Sequence, residues 1–312
     1  MTASQSVIPD RSTRYLHEAV VYRDARQYVD LNAPFLAAGV AAGEPVVAVV
    51  SPPNIALLTA ALGAAAESVR FVDMTDVGRN PARLIPLWRQ VVDDAGGRPV
   101  RGIGEPVWAG RRPAELAEAL LHEGLLDLAF ADGPPLLLRC PYDAATLDPA
   151  VLDAGCARHP TAGMSPSEWA AAEFAGPLSP ADPAAETVVF TRPSAIRGLR
   201  ALITERVAAF GVRGDRAADL VLAAHEVAVN SLRHGGGRGT LRIWTDGPSL
   251  VCEIADDGHI AQPLVGRVRP LPSQLSGRGV WLANQLCDLV QIRSSAAGTV
   301  VRLHLDGQPD PV

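Results

Sequence analysis

A helical pattern between Asp219 and His234 constrains the fold of this chain more than any other segment. At about 100° per residue, Glu226 and Asn230 share one polar face, while the opposite face is almost entirely Ala, Val and Leu. We predict Asp215 as the N-cap and the glycines after His234 as the end of the helix. A Glu and an Asn one turn apart can act as a base and a metal ligand. They can equally form a solvated stripe, and only the segments downstream decide between the two.

Two glycine segments follow this helix in a fixed order. Asp256-Asp257-Gly258 comes directly after the strand-like run 249–254. An Asp there can accept a hydrogen bond from an exocyclic amine, and the glycine lets a flat base approach the backbone. Gly277-Arg278-Gly279 opens a second helical pattern, where unencumbered N–H groups and the helix dipole favour phosphate oxygens. A lone Asp-Gly is usually a turn, so the order of the three segments carries the prediction of a nucleotide site.

In this order the three segments resemble the ATP-binding domain of the GHKL superfamily, and most of all the bacterial anti-sigma-factor serine kinases. The resemblance covers residues 186–312 and implies an α+β Bergerat sandwich that binds ATP and Mg²⁺. It implies that Glu226 is the general base, that Asn230 is the magnesium ligand, and that Asp256 and Gly258 hold adenine. It further implies that Gly277, Arg278 and Gly279 bind the phosphates. Thr299 corresponds to the residue that supports the adenine carboxylate.

The sequence departs from the family pattern at one position. Ile260 stands where the adenine segment has its second glycine. A β-branched side chain there is expected to crowd the base or to reshape the lid. The stretch between the two glycine segments is short and proline-containing, which predicts a small lid.

Composition excludes several other classes of protein. All 28 basic residues are arginine, so neither a Walker A lysine nor a Schiff-base lysine is available. The net charge is −6 with no dense basic stripe, which argues against direct nucleic-acid binding. No apolar run approaches the roughly 20 residues of a membrane span, and Met1–Asp10 lacks the layout of a signal peptide. We therefore expect a cytoplasmic protein without a membrane segment.

The cysteines and histidines show no metal-binding spacing in the sequence. The four cysteines form no C-x-x-C pair, and the seven histidines are scattered along the chain. We therefore expect buried thiols rather than a metal site or a disulfide.

The first half of the chain alternates short apolar strands with helical patterns. We predict strands at 45–51, 69–73, 100–104 and 135–140, with helices at 55–66, 81–95 and 113–131 between them. Such alternation predicts an α/β domain with a mostly parallel sheet. Ser51-Pro52-Pro53-Asn54 follows the first of these strands, and its prolines lack the N–H groups that a phosphate loop needs.

This half resembles the MEDS sensory domain, a RecA-like α/β module, over about residues 12–160. The likeness rests on five short segments: His17 near Tyr22, Gly43-Glu44-Pro45, Gly78-Arg79-Asn80-Pro81-Ala82-Arg83, Gly104-Glu105-Pro106-Val107-Trp108 and Cys140-Pro141-Tyr142-Asp143. The family implies a sensor of a small-molecule signal, with His17, Glu105 and Tyr142 as candidates to line its cleft. Glu105 and Tyr142 can equally serve only to cap a strand end or to hydrogen-bond a loop.

These observations predict three parts: a MEDS-like domain over 1–164, a proline-rich linker over 165–185 and an ATP-binding domain over 186–312. The resemblance implies an anti-sigma regulator that sequesters a sigma factor and phosphorylates Ser or Thr of a STAS anti-anti-sigma partner. It also implies pairing through the ATP-binding domain as a homodimer. The alternative is a kinase-inactive ATP-binding module that acts by partner binding alone. A two-component histidine kinase is disfavoured, because proline directly follows His159 and His225 lies within the ATP-domain helix.

Overall fold

The computed structural model describes residues 15–130, 132–159, 165–271 and 277–307. The strands are β1 (Tyr15–Tyr22), β2 (Val46–Val50), β3 (Val69–Asp73), β4 (Val100–Gly104), β5 (Leu136–Asp143), β6 (Glu186–Phe190), β7 (Gly239–Asp246), β8 (Ser249–Asp256), β9 (Leu289–Ser295) and β10 (Gly298–Asp306). The helices are α1 (Ala25–Ala41), α2 (Pro52–Leu62), α3 (Met74–Val77), α4 (Leu84–Asp94), α5 (Pro113–Phe130), α6 (Pro149–Cys156), α7 (Pro166–Ala175), α8 (Ile196–Ala209), α9 (Asp215–His234) and α10 (Arg278–Leu286). Short 3₁₀ segments lie at Gly63–Ser68, Pro81–Arg83 and Pro193–Ala195.

The described residues form two compact units. The first takes in the described residues up to Thr75, Trp88–Ala109 and those from Leu126 to His159. The second takes in Asp76–Leu87, Gly110–Leu125 and the described residues from Ser165 onward. Among the described residues, no helix has both the length and the apolar character needed to span a membrane.

The first unit is built on a five-stranded parallel sheet in the order β1-β5-β4-β2-β3. Every residue of β2 is buried, as expected for a central strand covered on both faces. Helices α1 and α2 pack their apolar side chains on this sheet, with Tyr28, Leu36 and Leu58 beside Ala48 and Val50. The prediction of a parallel α/β domain is confirmed.

The second unit contains an antiparallel sheet in the order β6-β7-β8-β10-β9. Helices α8, α9 and α10 bury their apolar faces in a common core with this sheet, through side chains such as Ile203, Leu220, Val227, Val280 and Leu303. The predicted α+β sandwich is confirmed.

Helix α9 begins one residue away from the predicted cap. Gly214, at a φ of 68°, is the N-cap, and Asp215 is the first helical residue. A left-handed backbone at this point favours glycine, and the Asp215 carboxylate then lies in the first turn, where the helix dipole favours a negative charge. The prediction of Asp215 as the cap is therefore wrong. Gly235 ends the helix as predicted.

The other face of the antiparallel sheet carries a charged ladder across β7, β8 and β10. Arg242, Glu253 and Arg302 are direct cross-strand neighbours. Glu253 accepts from Arg302 Nε at 2.7 Å and from an Arg242 guanidinium nitrogen at 2.9 Å. Arg302 also donates to the backbone carbonyl of Ser179, in the segment before β6. Glu253 and Arg302 are both buried, so this ion pair lies out of water.

Two segments that precede the linker in sequence form part of the second unit. Arg83 donates to the carbonyls of Asn284, Gln285 and Cys287, between 2.8 and 2.9 Å, and so satisfies the carboxyl end of α10. Glu118, fully buried in the first half of α5, accepts from Arg267 at 2.9 Å and from Arg293 at 2.7 Å.

The cysteines lie mostly in the cores of the two units. Cys140 is buried in the first unit, and Cys252 and Cys287 are buried in the second, whereas Cys156 is half-buried. Burial raises the pKa of Cys252 to about 12 and also raises the pKa of Cys287. All four cysteines are among the described residues, and none of them forms a disulfide.

Candidate functional site

Glu226 and Asn230 lie on α9 directly opposite the start of α10. A Cβ atom placed on Gly279 would be 3.0 Å from Glu226 Oε2 and 3.1 Å from Asn230 Nδ2. Such distances are tighter than ordinary contact, so a Cβ on Gly279 would push the Glu226 and Asn230 side chains back by a few tenths of an ångström. Gly279 is therefore a neighbour in space of Asn230 and Glu226, although it follows Asn230 by 49 positions in the sequence.

The first turn of α10 offers backbone donors beside this pair. Gly277 is the N-cap at a φ of 85°, and no side chain caps the helix there. Gly277 and Arg278 are exposed, whereas Gly279 is buried. The early N–H groups of a helix have no intrahelical acceptor, and together with the helix dipole they favour an anion such as a phosphate.

Asp256, at the end of β8, is held from two sides. Its Oδ2 accepts from Ser231 Oγ of α9 at 2.5 Å, and its Oδ1 accepts from the backbone N–H of Gly258 at 2.8 Å. Gly235 approaches so closely that a Cβ there would lie 2.3 Å from the Asp256 carboxyl carbon. Each carboxylate oxygen keeps a further lone pair, so the fixed carboxylate can still accept from the amine of a ligand.

A relay of hydrogen bonds fixes the backbone after Asp256. The Thr299 hydroxyl donates to the carbonyl of Gly258 at 2.9 Å, so Ser294 Oγ must donate its own proton to Thr299 Oγ1, 2.7 Å away. Ser294 Oγ in turn accepts from the backbone N–H of Ile260 at 2.7 Å. Thr299 is also the register partner of Asp256 across β10 and β8. The relay therefore sets the course of the chain from Gly258 to Ile260.

The side chain of Ile260 is half-buried and packs against the apolar core of the second unit. Its backbone N–H is held by Ser294. The isoleucine thus contributes apolar packing to the segment that follows Asp256.

Two family models match the chain. Residues 16–160 match the family described as MEDS, the methanogen/methylotroph DcmR sensory domain, and residues 190–305 match the histidine kinase-like ATPase domain. The chain joins a MEDS domain to a histidine kinase-like ATPase domain. No curated protein matches it.

A solved structure of the RsbU and RsbW domains of Rv1364c from Mycobacterium tuberculosis is similar to part of this chain. The identity is 20%, and the match covers 39% of this chain and 32% of that chain, with a TM-score of 0.29. At that score the similarity carries no structural argument, and the two family models are what assign the domains.

Within the ATPase domain, three residues outside the nucleotide-site motifs support the candidate site. Ser231 holds Asp256, Gly235 makes room for it, and Ser294 holds both Thr299 and Ile260. A serine on the otherwise Ala- and Val-rich face of α9 was the one available signal, because an apolar environment demands a partner for its hydroxyl. The role of Ser294 depends on strand register and has no local sequence signal.

In the MEDS domain, the three candidate residues have different surroundings. Glu105 follows β4 and accepts from the Ser51 N–H at 3.2 Å and from Asn54 Nδ2 at 2.9 Å. Burial raises the pKa of its carboxyl. His17 and Tyr142 instead both lie against the ring of His159, with centroids 4.0 and 5.8 Å away, respectively.

Proposed function

We propose that the ATPase domain binds ATP with Mg²⁺ and transfers its γ-phosphoryl group to a serine or threonine of a STAS-domain partner. The supporting observation is the close approach of Gly279 to Glu226 and Asn230, which puts a carboxylate, an amide and a helix N-terminus at one place. The spatial grouping matches the donor set that phosphoryl transfer needs, namely a base, a hard oxygen ligand and phosphate-binding N–H groups.

Each residue would have a separate task in this reaction. Bound magnesium would neutralise phosphate charge, and the side-chain carbonyl oxygen of Asn230 would be one of its ligands. Glu226 would accept the proton of the incoming hydroxyl, and the backbone from Gly277 to Gly279 would bind phosphate oxygens. Asp256 and Gly258, held by Ser231 and Thr299, would hold the adenine.

The test compares Glu226→Gln with the wild-type protein. The amide keeps the size of the side chain but cannot accept the hydroxyl proton, so nucleotide affinity should stay unchanged while transfer falls by about a hundredfold or more. Labelled ATP is incubated with the protein and a candidate STAS partner, and nucleotide binding is measured separately by calorimetry. Glu205→Gln, an exposed change on α8, is the matched control and should transfer at the wild-type rate.

The same assay separates the kinase from a module that regulates by binding alone. Labelling of the partner by wild-type protein supports the kinase. Tight nucleotide binding without any labelling of STAS partners, together with capture of a sigma factor, would establish the binding module instead. Transfer that survives in Glu226→Gln would remove Glu226 from the role of base.

In the cell, we propose that the chain acts in the cytoplasm as an anti-sigma regulator under the control of its MEDS domain. Sequestration of a sigma factor and phosphorylation of a STAS partner would be alternative states of the same ATPase domain. A small-molecule signal at the MEDS domain would shift the balance between them, which is measurable as a change in partner labelling when the signal is added to the full chain.

A further inference from the structure

Three side chains with metal-binding atoms meet inside the first unit. His17 lies on β1, Cys140 lies on the neighbouring strand β5, and His159 lies just beyond α6. Their ligand atoms are within 4.8 Å of one another. The three residues are 2%, 1% and 4% exposed, respectively, so this cluster of a thiol and two imidazoles is shielded from water.

Each imidazole has an oxygen atom near its Nδ1, and His159 is hydrogen-bonded to it. His17 Nδ1 is 3.4 Å from Asp127 Oδ1, and His159 Nδ1 is 3.0 Å from the carbonyl oxygen of Gly155. The hydrogen bond to the Gly155 carbonyl fixes the His159 tautomer with its proton on Nδ1 and leaves Nε2 with a lone pair. A metal-bound histidine characteristically has such an oxygen behind its second nitrogen.

The remaining atoms have the spacing of a metal site. His17 Nε2 is 3.2 Å from Cys140 Sγ. Two ligands of a tetrahedral zinc ion, one sulfur and one nitrogen, are roughly 3.5 Å apart, given bond lengths of about 2.3 and 2.0 Å. A small outward movement of either side chain would therefore admit the ion.

The ligand types favour zinc. A thiolate with two imidazoles is a donor set typical of Zn²⁺, whereas Mg²⁺ and Ca²⁺ prefer oxygen ligands. Cys140 would release its thiol proton when the metal binds, so the bound state holds a thiolate and two neutral imidazoles.

We propose that the MEDS domain of this chain binds one zinc ion through His17 Nε2, Cys140 Sγ and His159 Nε2, with a further donor completing the tetrahedron. The proposal goes beyond the expectation of buried thiols and scattered histidines, which is based on spacing along the sequence. Strand pairing between β1 and β5 brings ligands together from opposite ends of the domain. The proposed zinc site is independent of the function proposed for the ATPase domain.

The test uses the full chain without a polyhistidine tag, supplied with equimolar zinc and then dialysed against a weak chelator. Wild-type protein should retain about one zinc ion per chain by elemental analysis. Cys140→Ser and His159→Gln should lose it. Cys156→Ser is the matched control, because this half-buried thiol of the same unit lies outside the cluster, and it should retain the metal.

A measurement on the wild-type protein avoids dependence on how well the variants fold. Cobalt(II) bound in place of zinc should give a thiolate-to-cobalt charge-transfer band and the intense visible bands of a tetrahedral site. Absence of the charge-transfer band in wild-type protein would overturn the proposal. Equal zinc retention by a folded Cys140→Ser variant, verified by circular dichroism, would overturn it as well.

Discussion

At the scale of single residues, the candidate site depends on positions where a side chain is absent. Gly279 lets α10 approach Glu226 and Asn230, and Gly235 lets α9 end against Asp256. Polar side chains then fix the functional groups beside these glycines by hydrogen bonds, as Ser231 does for the Asp256 carboxylate. The geometry is therefore sensitive to the addition of a single methyl group.

Gly279→Ala should weaken nucleotide binding. The new methyl group would press on Glu226 Oε2 and Asn230 Nδ2, and overpacking of this kind costs about 1–3 kcal/mol, which corresponds to about a 5- to 150-fold loss of affinity. Calorimetric titration with nucleotide measures it. Gly198→Ala is the control, since a Cβ there meets nothing within 4 Å. An unchanged affinity for Gly279→Ala would mean that nucleotide binds elsewhere.

His304 should make the second unit less stable in acid. Burial, with the charges of Arg112 and Arg302, lowers its pKa to about 4, against the opposing effect of Asp306 and Asp246. The unfolded chain binds the proton near pH 6.5 and the folded chain does not, so stability is lost as pH falls from about 6.5 towards 4. The full loss is about 3 kcal/mol.

Urea titrations at several pH values test this effect. His304→Gln should flatten the dependence, because the amide does not titrate and can still contact Gln291, which is 3.2 Å from His304 Nε2. His234→Gln, an exposed change at the end of α9, should keep the wild-type slope. A variant at 304 with the wild-type slope would assign the acid sensitivity to the carboxylates.

At the scale of elements, the sequence predicted those whose signals are local. The strand at 69–73 was predicted at its observed position and the end of α9 at Gly235, because apolar runs and glycine stops are local features. Strand β1 was not predicted, since Glu18 interrupts its apolar character and finds its partner, Arg139, only in the folded sheet. Helix α1 was also missed, and it contains Pro34, a residue that normally predicts a break.

The candidate site shows the same division between local and long-range signals. The motif residues lie on the predicted elements, and Thr299 does pair with Asp256. The contacts that position them, such as Ser294 with Thr299, arise from strand register and from side chains far apart in sequence. The proposed zinc ligands are more distant still: the pairing of β1 with β5 brings His17 near Cys140, and the segment after α6 adds His159.

Glu253→Ala should destabilise the antiparallel sheet. The change leaves the buried Arg302 guanidinium without its carboxylate, and loss of one partner from a buried ion pair costs about 3 kcal/mol or more. Thermal or urea unfolding measures the loss. Glu205→Ala removes the carboxylate of an exposed pair with Arg206 and should stay within about 0.5 kcal/mol of wild type. Similar effects for both variants would contradict the importance of the ladder.

At the scale of the whole molecule, the compact units do not follow one cut in the sequence. Asp76–Leu87 and Gly110–Leu125 belong to the second unit, where Arg83 and Glu118 make buried or half-buried contacts. A fragment that begins at Ser165 would therefore lack part of the unit to which it belongs.

Such a fragment, residues 165–312, should be less stable than the second unit of the full chain by about 3 kcal/mol or more, because Arg267 and Arg293 lose Glu118. Replacing both arginines by methionine should stabilise the fragment and destabilise the full chain, since only the full chain supplies the Glu118 carboxylate. Urea titration of the four proteins measures the effect. A fragment as stable as the second unit of the full chain would contradict this prediction.

The buried thiols make these comparisons measurable one unit at a time. A thiolate is the form that reacts with alkylating reagents, so Cys252, buried and with a pKa of about 12, should react only when its surroundings open. Mass spectrometry of the peptides would separate its labelling from that of Cys140 in the first unit. The rate of cysteine alkylation therefore reports the opening of each unit separately. A bound nucleotide or zinc ion should lower that rate in the unit that holds it.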